Sequence, residues 1–299
     1  MNLIKLGVLC AESVFWGVKN MYMKFKDGKS KALTLSYDDG SIYDKRLVEI
    51  LDKFGIKATF NIHSSDFYPE DGEKDGQWKM KLSEVKELFK NGNHELAIHG
   101  YHHPFFSLLK SEKVLTEVLD DRRKLESELG MIVRGMAYAF GSYSDEVVDC
   151  LKKCGVCYSR TVNSTENFSM PEEWLEWHPT CHHNNPKLFD LAKEFIEKKD
   201  VYEARNHLFY LWGHSHEFER NQNWDIIEKF SEYISGKDDI WYATNIEIYD
   251  YVNAYNSLET SVDEKIIHNP TNQDVWFVEK HANNKEVLCV KAGETLKLD

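Results

Sequence analysis

Short apolar segments alternate with amphipathic segments along most of this chain. Apolar runs predict seven strands, at residues 32–37, 58–62, 95–98, 133–138, 156–159, 208–212 and 240–243. Apolar positions that recur every three or four residues predict helices near 45–54, 83–91, 112–129, 145–154, 187–198, 225–235 and 246–255. Such alternation is typical of a parallel sheet covered by helices, either open or closed into a barrel.

Two parts of the chain break this alternation. Residues 161–185 are irregular and rich in Trp, His and Asn, and a long irregular segment inside a compact domain is usually functional. Later, three short strands at 274–279, 286–291 and 294–298 predict a small β appendix. We therefore divide the chain into an N-terminal extension (1–22), a main α/β domain (23–256) and the appendix (257–299).

The charge balance narrows the class of partner. The 299 residues include 37 Lys and Arg against 50 Asp and Glu, which leaves a formal net charge of −13. Phosphate backbones and anionic lipid repel such a chain, so we expect no nucleic acid and no membrane as partner, and a neutral or cationic ligand instead. There is no run of eighteen apolar residues, and residues 1–20 make a poor secretion signal, so we expect a cytoplasmic location.

Three of the six cysteines, Cys150, Cys154 and Cys157, have the spacing that holds iron–sulfur clusters in radical enzymes. Cluster ligands need a flexible loop, whereas two of these cysteines fall on a predicted helix and the third on a predicted strand. Ser144, followed by two acidic residues, has the features of that helix's N-terminus. We therefore expect these cysteines to be small buried residues.

Nine of the thirteen histidines lie in three short windows, at 99–103, 178–183 and 207–216. Each window adjoins a predicted strand or the irregular segment, which is where a barrel places its active-site loops. His99 and His103 are four residues apart, so one turn of helix would point both rings the same way. The clustering indicates a functional site.

A pair of carboxylates, Asp38 and Asp39, follows the first predicted strand. Adjacent carboxylates repel each other unless a cation or a shared proton relieves the repulsion, and Gly40 allows a turn that brings both to one site. Asp39 with His99 and His103 forms a two-histidine, one-carboxylate set, which suits a catalytic zinc ion or a non-haem iron. The alternative is a solvated acidic turn beside hydrogen-bonded loop histidines.

His214 and His216 follow the long apolar strand at 208–212. A histidine at a strand end can act as a general acid, because its ordinary pKa lies near working pH. A histidine held by backbone hydrogen bonds fits this segment equally well when it is considered alone.

Taken in order, these segments resemble the polysaccharide deacetylases of the NodB-homology type, carbohydrate esterase family 4. The family's Thr-Phe-Asp-Asp-Gly is similar to Ser36-Tyr37-Asp38-Asp39-Gly40, and its His-Ser/Thr-x-x-His-Pro is similar to His99-Gly100-Tyr101-His102-His103-Pro104. The resemblance covers roughly residues 30 to 250. It implies that the fold is a deformed (β/α)7 barrel.

The resemblance also implies a chemistry. Asp38 would be the general base, and Asp39, His99 and His103 would bind one divalent metal ion, Zn²⁺ first, with Co²⁺, Ni²⁺ or Fe²⁺ as alternatives. The family's final Leu-x-Leu-His motif is matched loosely by residues 211–214, which makes His214 the general acid, with His216 as its rival. The domain 23–256 would then remove acetyl groups from an N- or O-acetylated amino sugar or oligosaccharide and release acetate.

The third motif departs from the family. The family has Arg-x-Pro-Tyr-Gly, whereas this chain has Ala137-Tyr138-Ala139-Phe140-Gly141, without the arginine. Arg134 is nearby, but an odd offset of three residues along a strand would point it to the opposite face. The backbone N–H of Phe140 is a candidate oxyanion donor, because that role needs no particular side chain.

Several further residues are candidate substrate contacts. Tyr138 and Trp177 offer aromatic faces for a sugar ring, although burial in the core is an equal alternative. His182 belongs to the segment 177–183, which we interpret as a substrate-facing loop. His216 and Phe140 complete the set of predicted substrate contacts.

Two other function classes remain open. Residues 92–95 and 213–216 match pieces of the metallophosphoesterase signature, although the two earlier pieces of that signature are absent. A catalytically inactive carbohydrate-binding relative would also explain the weakened third motif. The set of two carboxylates and two histidines favours an enzyme, because a binding module has no need of a base beside a metal site.

Overall fold

A computed structural model describes residues 21–73, 76–199, 206–279 and 286–298. In chain order, its strands are β1 (Met21–Lys24), β2 (Lys31–Asp38), β3 (Thr59–Ile62), β4 (Glu95–Ile98), β5 (Gly135–Ala137), β6 (Tyr158–Arg160), β7 (Cys181–His182), β8 (His207–Gly213), β9 (Ile240–Tyr242), β10 (Glu259–Thr260), β11 (Ile266–His268), β12 (Val275–Glu279), β13 (Leu288–Val290) and β14 (Thr295–Lys297). Its α-helices are α1 (Asp44–Lys53), α2 (Leu82–Phe89), α3 (Ser111–Leu129), α4 (Asp145–Lys153), α5 (Leu188–Glu197), α6 (Ser215–Arg220), α7 (Asp225–Ile234) and α8 (Asn245–Asn256).

A curled parallel sheet forms the centre of the molecule. Seven of its strands run in the spatial order β6-β5-β4-β3-β2-β8-β7, and β9 pairs with the first part of β2. The segment leading into β7 joins the two ends, because Trp177 forms a parallel bridge with Arg160 of β6 while β7 itself pairs with β8. The sheet is therefore a deformed barrel. The seven predicted strands are present, whereas the two-residue β7 lies in the stretch that we expected to be irregular.

Strand β2 shows why the barrel has an apolar outside and a polar inside. Successive side chains of a strand point to opposite faces. Leu33, Leu35 and Tyr37 pack into the core beneath the helices, whereas the alternate residues face inward. There, Thr34 donates a hydrogen bond to Asn245 (2.8 Å). This polar face ends at the opening of the barrel, at Asp38.

The seven predicted helices are all present, each within two residues of its expected bounds. Side chains cap the N-termini of some of these helices. At α4, the Ser144 side chain accepts a hydrogen bond from the Val147 N–H (3.4 Å). At α8, Thr244 and Glu247 form a reciprocal capping box. The short helix α6 was not predicted. Among the described residues, no helix is both long and apolar enough to cross a membrane.

Beyond α8 the chain forms two small antiparallel sheets. Strands β12 and β13 pair with each other, and β1 covers the other edge of β12. Strand β14 pairs with β11, which in turn pairs with β10. The three strands predicted for the appendix correspond to β12, β13 and β14. Most of the predicted extension 1–22 lies outside the described residues, and the boundaries at 22 and 256 stay predictions.

The cysteines of the Cys-x3-Cys-x2-Cys spacing belong to the packed structure. Cys150 on α4 and Cys154 at its C-cap are buried in the core beneath the helices. Cys157 is half-buried just before β6. Cys150 and Cys154 agree with the small buried residues that the sequence predicts, whereas Cys157 is only half-buried.

Asp44 is a buried acid at the start of α1, and it makes the stability of the fold sensitive to pH. The Ser215 hydroxyl donates a hydrogen bond to its Oδ1 (2.5 Å), but its Oδ2 has no partner. Burial is the main reason that the pKa of Asp44 rises from 3.8 to about 8. A carboxyl whose pKa is higher in the folded state stabilises the fold at low pH and loses that contribution as pH rises.

We therefore expect the contribution of Asp44 to the unfolding free energy to fall as pH rises from about 4 to about 8. Asp44→Asn should remove this contribution to the pH dependence, so its unfolding free energy should exceed that of the wild type at pH 8.5 by roughly 2–4 kcal/mol. Urea unfolding with a metal chelator present, at pH 5 and at pH 8.5, measures the difference. Glu49→Gln replaces an exposed acid of the same helix and should behave like the wild type. Equal pH dependence in the wild type and Asp44→Asn would contradict the prediction.

Candidate functional site

Polar side chains collect at the opening of the barrel where four strands end. Asp38 ends β2 and Asp39 follows it, while His63 follows β3. His99 and His214 directly follow β4 and β8. Because parallel strands end at the same edge, these residues converge on one place, as the strand assignments predict.

Asp39, His99 and His103 form a group whose ligand atoms lie within 4.8 Å of one another. The distance from Asp39 Oδ1 to His103 Nε2 is 3.4 Å, and that to His99 Nε2 is 3.8 Å. His99 is buried, and the other two residues are partly exposed toward the opening. The structure thus brings together the three residues predicted to bind a metal ion.

The turn that positions the two histidines is not the helical turn that we predicted. The chain leaves β4 and reverses at Gly100, and the His103 N–H donates to the Gly100 carbonyl (2.9 Å). Gly100 has a φ of +83°, and a Cβ there would lie 2.6 Å from the Phe106 ring, so only glycine fits. His103 itself has a φ of +54°. The two rings still meet, with centroids 4.7 Å apart.

The donor set fits a divalent cation. His99 Nδ1 lies 2.8 Å from the Ala137 carbonyl, so Nδ1 carries the proton and donates it, which leaves the Nε2 lone pair facing Asp39. Burial lowers the pKa of His99 to about 3, so the ring is neutral, as a metal ligand must be. Asp39 Oδ1 is buried without a hydrogen-bond partner. A cation would satisfy this oxygen.

Asp38 is held by a buried arginine, which supplies the guanidinium that is missing from the third motif. The guanidinium of Arg160, at the end of β6, donates from Nη2 to Asp38 Oδ2. Its Nε donates to the Ser36 hydroxyl (3.2 Å), and the Trp212 ring lies 4.4 Å away. The Asn61 amide donates to Asp38 Oδ1 (2.8 Å). Both oxygens of Asp38 are therefore fixed.

These neighbours keep Asp38 ionised. Burial alone would raise the pKa of its carboxyl, but the adjacent Arg160 guanidinium holds that pKa well below its usual range. The Nε2 atoms of His99 and His214 lie 3.8 and 3.9 Å from Asp38 Oδ2. Asp38 is thus available as an anionic proton acceptor at ordinary pH.

Arg134 faces away from the site, as the strand offset predicts. It forms a two-pronged ion pair with Asp250 of α8, at 2.9 and 2.6 Å. The sequence analysis missed Arg160, which lies one residue beyond the strand predicted at 156–159. Its position at a strand end beside the irregular segment was the one feature of the sequence that marked Arg160 as a candidate site residue. The sequence could not show that Arg160 lies opposite Asp38, because that depends on the curl of the sheet.

His214 lies between the two carboxylates and a third acid. Its Nε2 is 3.9 Å from Asp38 Oδ2 and 4.0 Å from Asp39 Oδ2, and its Nδ1 is 3.8 Å from Glu217 Oε1. Burial alone would lower the pKa of His214, but Glu217 and the two aspartates raise it above its ordinary value. His216 lies on α6 with its ring centroid 4.6 Å from that of Trp78. Burial and the neighbouring His214 lower the pKa of His216 to about 4.

Glu217 is also the centre of a second group, with His182 and His183. Its Oε2 lies 3.1 Å from His182 Nε2 and 3.0 Å from His183 Nε2. The Asn184 N–H points at His182 Nδ1 (3.1 Å), so in the neutral ring Nε2 carries the proton and faces Glu217. This orientation makes His182 a support for the glutamate, where we predicted a substrate contact.

Two of the predicted sugar-stacking residues belong to the core instead. The Tyr138 ring is buried, and its hydroxyl donates to the Leu175 carbonyl (2.8 Å). Trp177 is 1% exposed and packs against Tyr210, with ring centroids 4.7 Å apart. Neither ring presents a face to the opening. Tyr138 packs in the core beneath the helices, whereas Trp177 packs in a second apolar cluster with Tyr158 and Tyr210.

Other aromatic rings line the opening. Phe140 is 55% exposed, stacks on Phe105 at a centroid distance of 3.9 Å, and meets the His103 ring at 4.4 Å. It has a φ of +57°, an uncommon conformation for a residue other than glycine. Trp78, 44% exposed, lies on the other side, beside His216. Exposed aromatic faces therefore flank the candidate metal centre.

The two pieces of the metallophosphoesterase signature lie at opposite ends of the barrel. His94 precedes β4, and its ring bonds to the Ala58 N–H (3.1 Å) and to Asp52 (3.1 Å). His214, by contrast, follows the end of β8. Because the strands are parallel, these two histidines cannot share a two-metal site.

Comparisons with known proteins agree with the resemblance that the motifs indicate. The family profile of the polysaccharide deacetylases matches residues 25–159. An uncharacterised protein of Bacillus subtilis, YlxY, is 26% identical over 111 residues, which cover 37% of this chain and 31% of that protein. The match thus spans about a third of the curated relative.

The fold agrees with that of a solved structure. A protein of Mycobacterium smegmatis, assigned to the polysaccharide deacetylases, is 15% identical and has a TM-score of 0.57, with 78% of this chain and 94% of that chain covered. A carbohydrate esterase family 4 pseudoenzyme of Bacillus anthracis is 20% identical with a TM-score of 0.44, covering 77% and 68% of the two chains. The predicted resemblance and the deformed barrel are confirmed.

Proposed function

We propose that this chain, which matches the polysaccharide deacetylase family over residues 25–159, is an active metal-dependent hydrolase that removes acetyl groups from an acetylated amino sugar or oligosaccharide. One observation carries the proposal. An ionised carboxylate, Asp38, lies between a three-residue ligand group and a histidine that lies 3.9 Å from it, all at one opening of the barrel. An inactive sugar-binding relative would have no use for this arrangement.

Asp39, His99 and His103 would hold a divalent ion, for which the imidazole and carboxylate donors suit Zn²⁺. When bound, such an ion supplies Lewis-acid polarisation of the acetyl carbonyl and a lowered pKa of water. Asp38 is the base that takes a proton from the attacking water. Arg160 and Asn61 hold both oxygens of this base, so it needs no reorganisation before the reaction.

His214 donates a proton to the departing sugar nitrogen, which an amide leaving group requires. It is better placed than His216, because only His214 lies within 4.0 Å of both aspartates. Glu217 lies on the far side of its ring and favours the protonated form. The exposed rings of Phe140 and Trp78 offer the faces on which a sugar would stack.

Acetate release tests the proposal. The purified protein with Zn²⁺ should release acetate from an N-acetylated chito-oligosaccharide or an O-acetylated sugar, and a chelator should stop it. An aryl phosphate serves as the control substrate for the phosphoesterase alternative. Phosphate release without acetate release, or no acetate from any acetylated sugar by metal-loaded protein, would contradict the proposal.

The acid can be identified by changing the leaving group. His214→Ala should reduce deacetylation of an N-acetyl sugar far more than hydrolysis of an aryl acetate, because an aryl oxide leaves without a proton. The difference should be about ten- to a thousand-fold in kcat. His216→Ala is the matched control and should affect both substrates alike. A selective loss in the His216 variant alone would assign the acid to His216.

A further inference from the structure

An open groove of about 980 Å³ lies at the end of the barrel opposite to the candidate metal centre. Two of its lining residues, Lys26 and Arg134, come before β2 and β5, whereas the residues of the metal centre follow the ends of their strands. Helix α8 forms one wall, and residues 271–274 with the start of β12 form the other. A groove of this volume is at the upper end of the range usual for small-ligand sites. The reaction proposed above makes no use of it.

The groove has an aromatic floor. Trp241 and Trp276 line it and are partly exposed. The buried ring of Tyr251 lies between them, with its centroid 5.4 Å from that of Trp241 and 6.5 Å from that of Trp276. The Tyr251 hydroxyl donates to the Lys24 carbonyl (2.7 Å) and accepts from the Trp276 backbone N–H (3.0 Å), which ties β12 to α8. The floor is therefore fixed in place before any ligand binds.

A rigid loop adds polar groups beside the aromatic floor. The side chain of the fully buried Asn269 donates to the Gln273 carbonyl (2.7 Å) and accepts from the Thr271 N–H (3.0 Å), so it fixes the backbone of the loop. Asn272 and Gln273 line the groove, and within the described part of the chain neither side-chain amide has a hydrogen-bond partner. Each of these amides offers one acceptor oxygen and two donor hydrogens, which suits the hydroxyls of a ligand.

The charges that line the groove are mostly neutralised by the protein itself. Each lining carboxylate is paired with a cation: Asp250 with Arg134, Asp274 with Lys291, and Glu247 with Lys57. Lys26, the remaining charged lining residue, is exposed. A charged ligand would have to compete with these ion pairs, whereas a neutral ligand would not. The groove is therefore suited to a neutral ligand that has both apolar faces and hydroxyl groups.

We propose that this groove is a second carbohydrate-binding site, which takes a neutral oligosaccharide and is separate from the metal centre. The C–H faces of its sugar rings stack on Trp241 and Trp276, and its hydroxyls bond to the free amides of Asn272 and Gln273. The inference goes beyond the proposed function, because a chain bound at this end of the barrel is remote from the reacting groups. It also gives a role to the β appendix, which supplies Trp276 and the loop.

Hydroxyl-radical footprinting of the full chain tests the proposal. The Zn²⁺-loaded Asp38→Asn chain is used as the parent, so that the proposed reaction does not consume the probe. Saturation with N-acetylated chitopentaose or with cellopentaose should reduce the oxidation of Trp241 and Trp276. The probe concentration that half-protects Trp241 should be at least about tenfold higher in the Trp276→Ala variant of this parent, because an aromatic stacking face is lost.

Asn272→Ala keeps the test independent of any damage to β12, because Asn272 is exposed in a loop. It should raise the half-protecting concentration about two- to tenfold, which is the usual effect of losing a hydrogen bond. Asn91→Ala removes an exposed amide outside the groove and should match the parent. The inference is overturned if both probes protect Trp78 at the opening but neither Trp241 nor Trp276, or if neither probe protects any of the three. Equal half-protecting concentrations in all variants would overturn it as well.

Discussion

Asp38→Asn should keep the bound metal and lose deacetylase turnover by a factor of about 100 or more. The reason is chemical, because an amide of similar size cannot accept the proton of the attacking water. Asp38 is buried, and its two oxygens are bound by Asn61 and Arg160. A base from the solvent therefore cannot easily take its place. Acetate release per bound metal ion measures the effect.

Asp39→Asn is the variant that distinguishes the roles of the two adjacent carboxylates. We expect it to lower metal content, because Asp39 is the acid whose oxygen lies 3.4 Å from His103 Nε2. Asp38→Asn should leave metal content near that of the wild type. If Asp38→Asn lost metal and activity together, Asp38 would be a ligand and our assignment of the base would be wrong.

Arg160→Met should destabilise the fold and impair catalysis at the same time. Arg160 is fully buried, and its removal leaves the Asp38 charge without its partner inside the barrel. Removing one member of a buried ion pair costs about 3–5 kcal/mol. Without the guanidinium, the pKa of Asp38 should also rise, because burial favours the neutral acid. Urea unfolding and the acid limb of the pH–rate profile measure the two effects.

The double variant Arg160→Met with Asp38→Asn is the control for this prediction. It removes both charges, so its loss of unfolding free energy should be smaller than the sum of the losses in the two single variants, by about 1–3 kcal/mol. Arg160→Lys keeps a positive charge and should recover part of kcat with little change in KM. Additive destabilisation in the double variant would show that Arg160 supports the core without acting through Asp38.

Much of the site follows from local sequence rules. Asp38, Asp39, His99 and His214 are polar residues directly after apolar strands, and the alternation of strands and helices requires those strands to be parallel. Residues at the ends of parallel strands meet at one edge of the sheet, regardless of the conformation of the loops. The two motifs that resemble the deacetylases therefore contain the three residues of the ligand group and Asp38, the base proposed above.

Arg160, which the sequence analysis missed, acts across a long separation along the chain. Arg160 and Asp38 are 122 residues apart, and they meet because the curled sheet brings the end of β6 opposite the end of β2. The contact between Glu217 and His183 also joins separate parts of the chain, because Glu217 lies on α6 and His183 follows β7. Single-sequence periodicity contains no information about which strand ends face each other.

Burial was the other quantity that only the folded chain could decide. Tyr138 and Trp177 have the side chains of sugar-binding residues, but Tyr138 is buried in the core beneath the helices and Trp177 in a second apolar cluster that includes Tyr210. Phe140 lies two residues after Tyr138 in the third motif and has a φ of +57°, and its ring is 55% exposed. Periodicity along the chain determined the elements, their order and the edge at which they meet. The closure of the sheet decided which charges pair and which rings face the opening, because those depend on distances between residues that are remote in sequence.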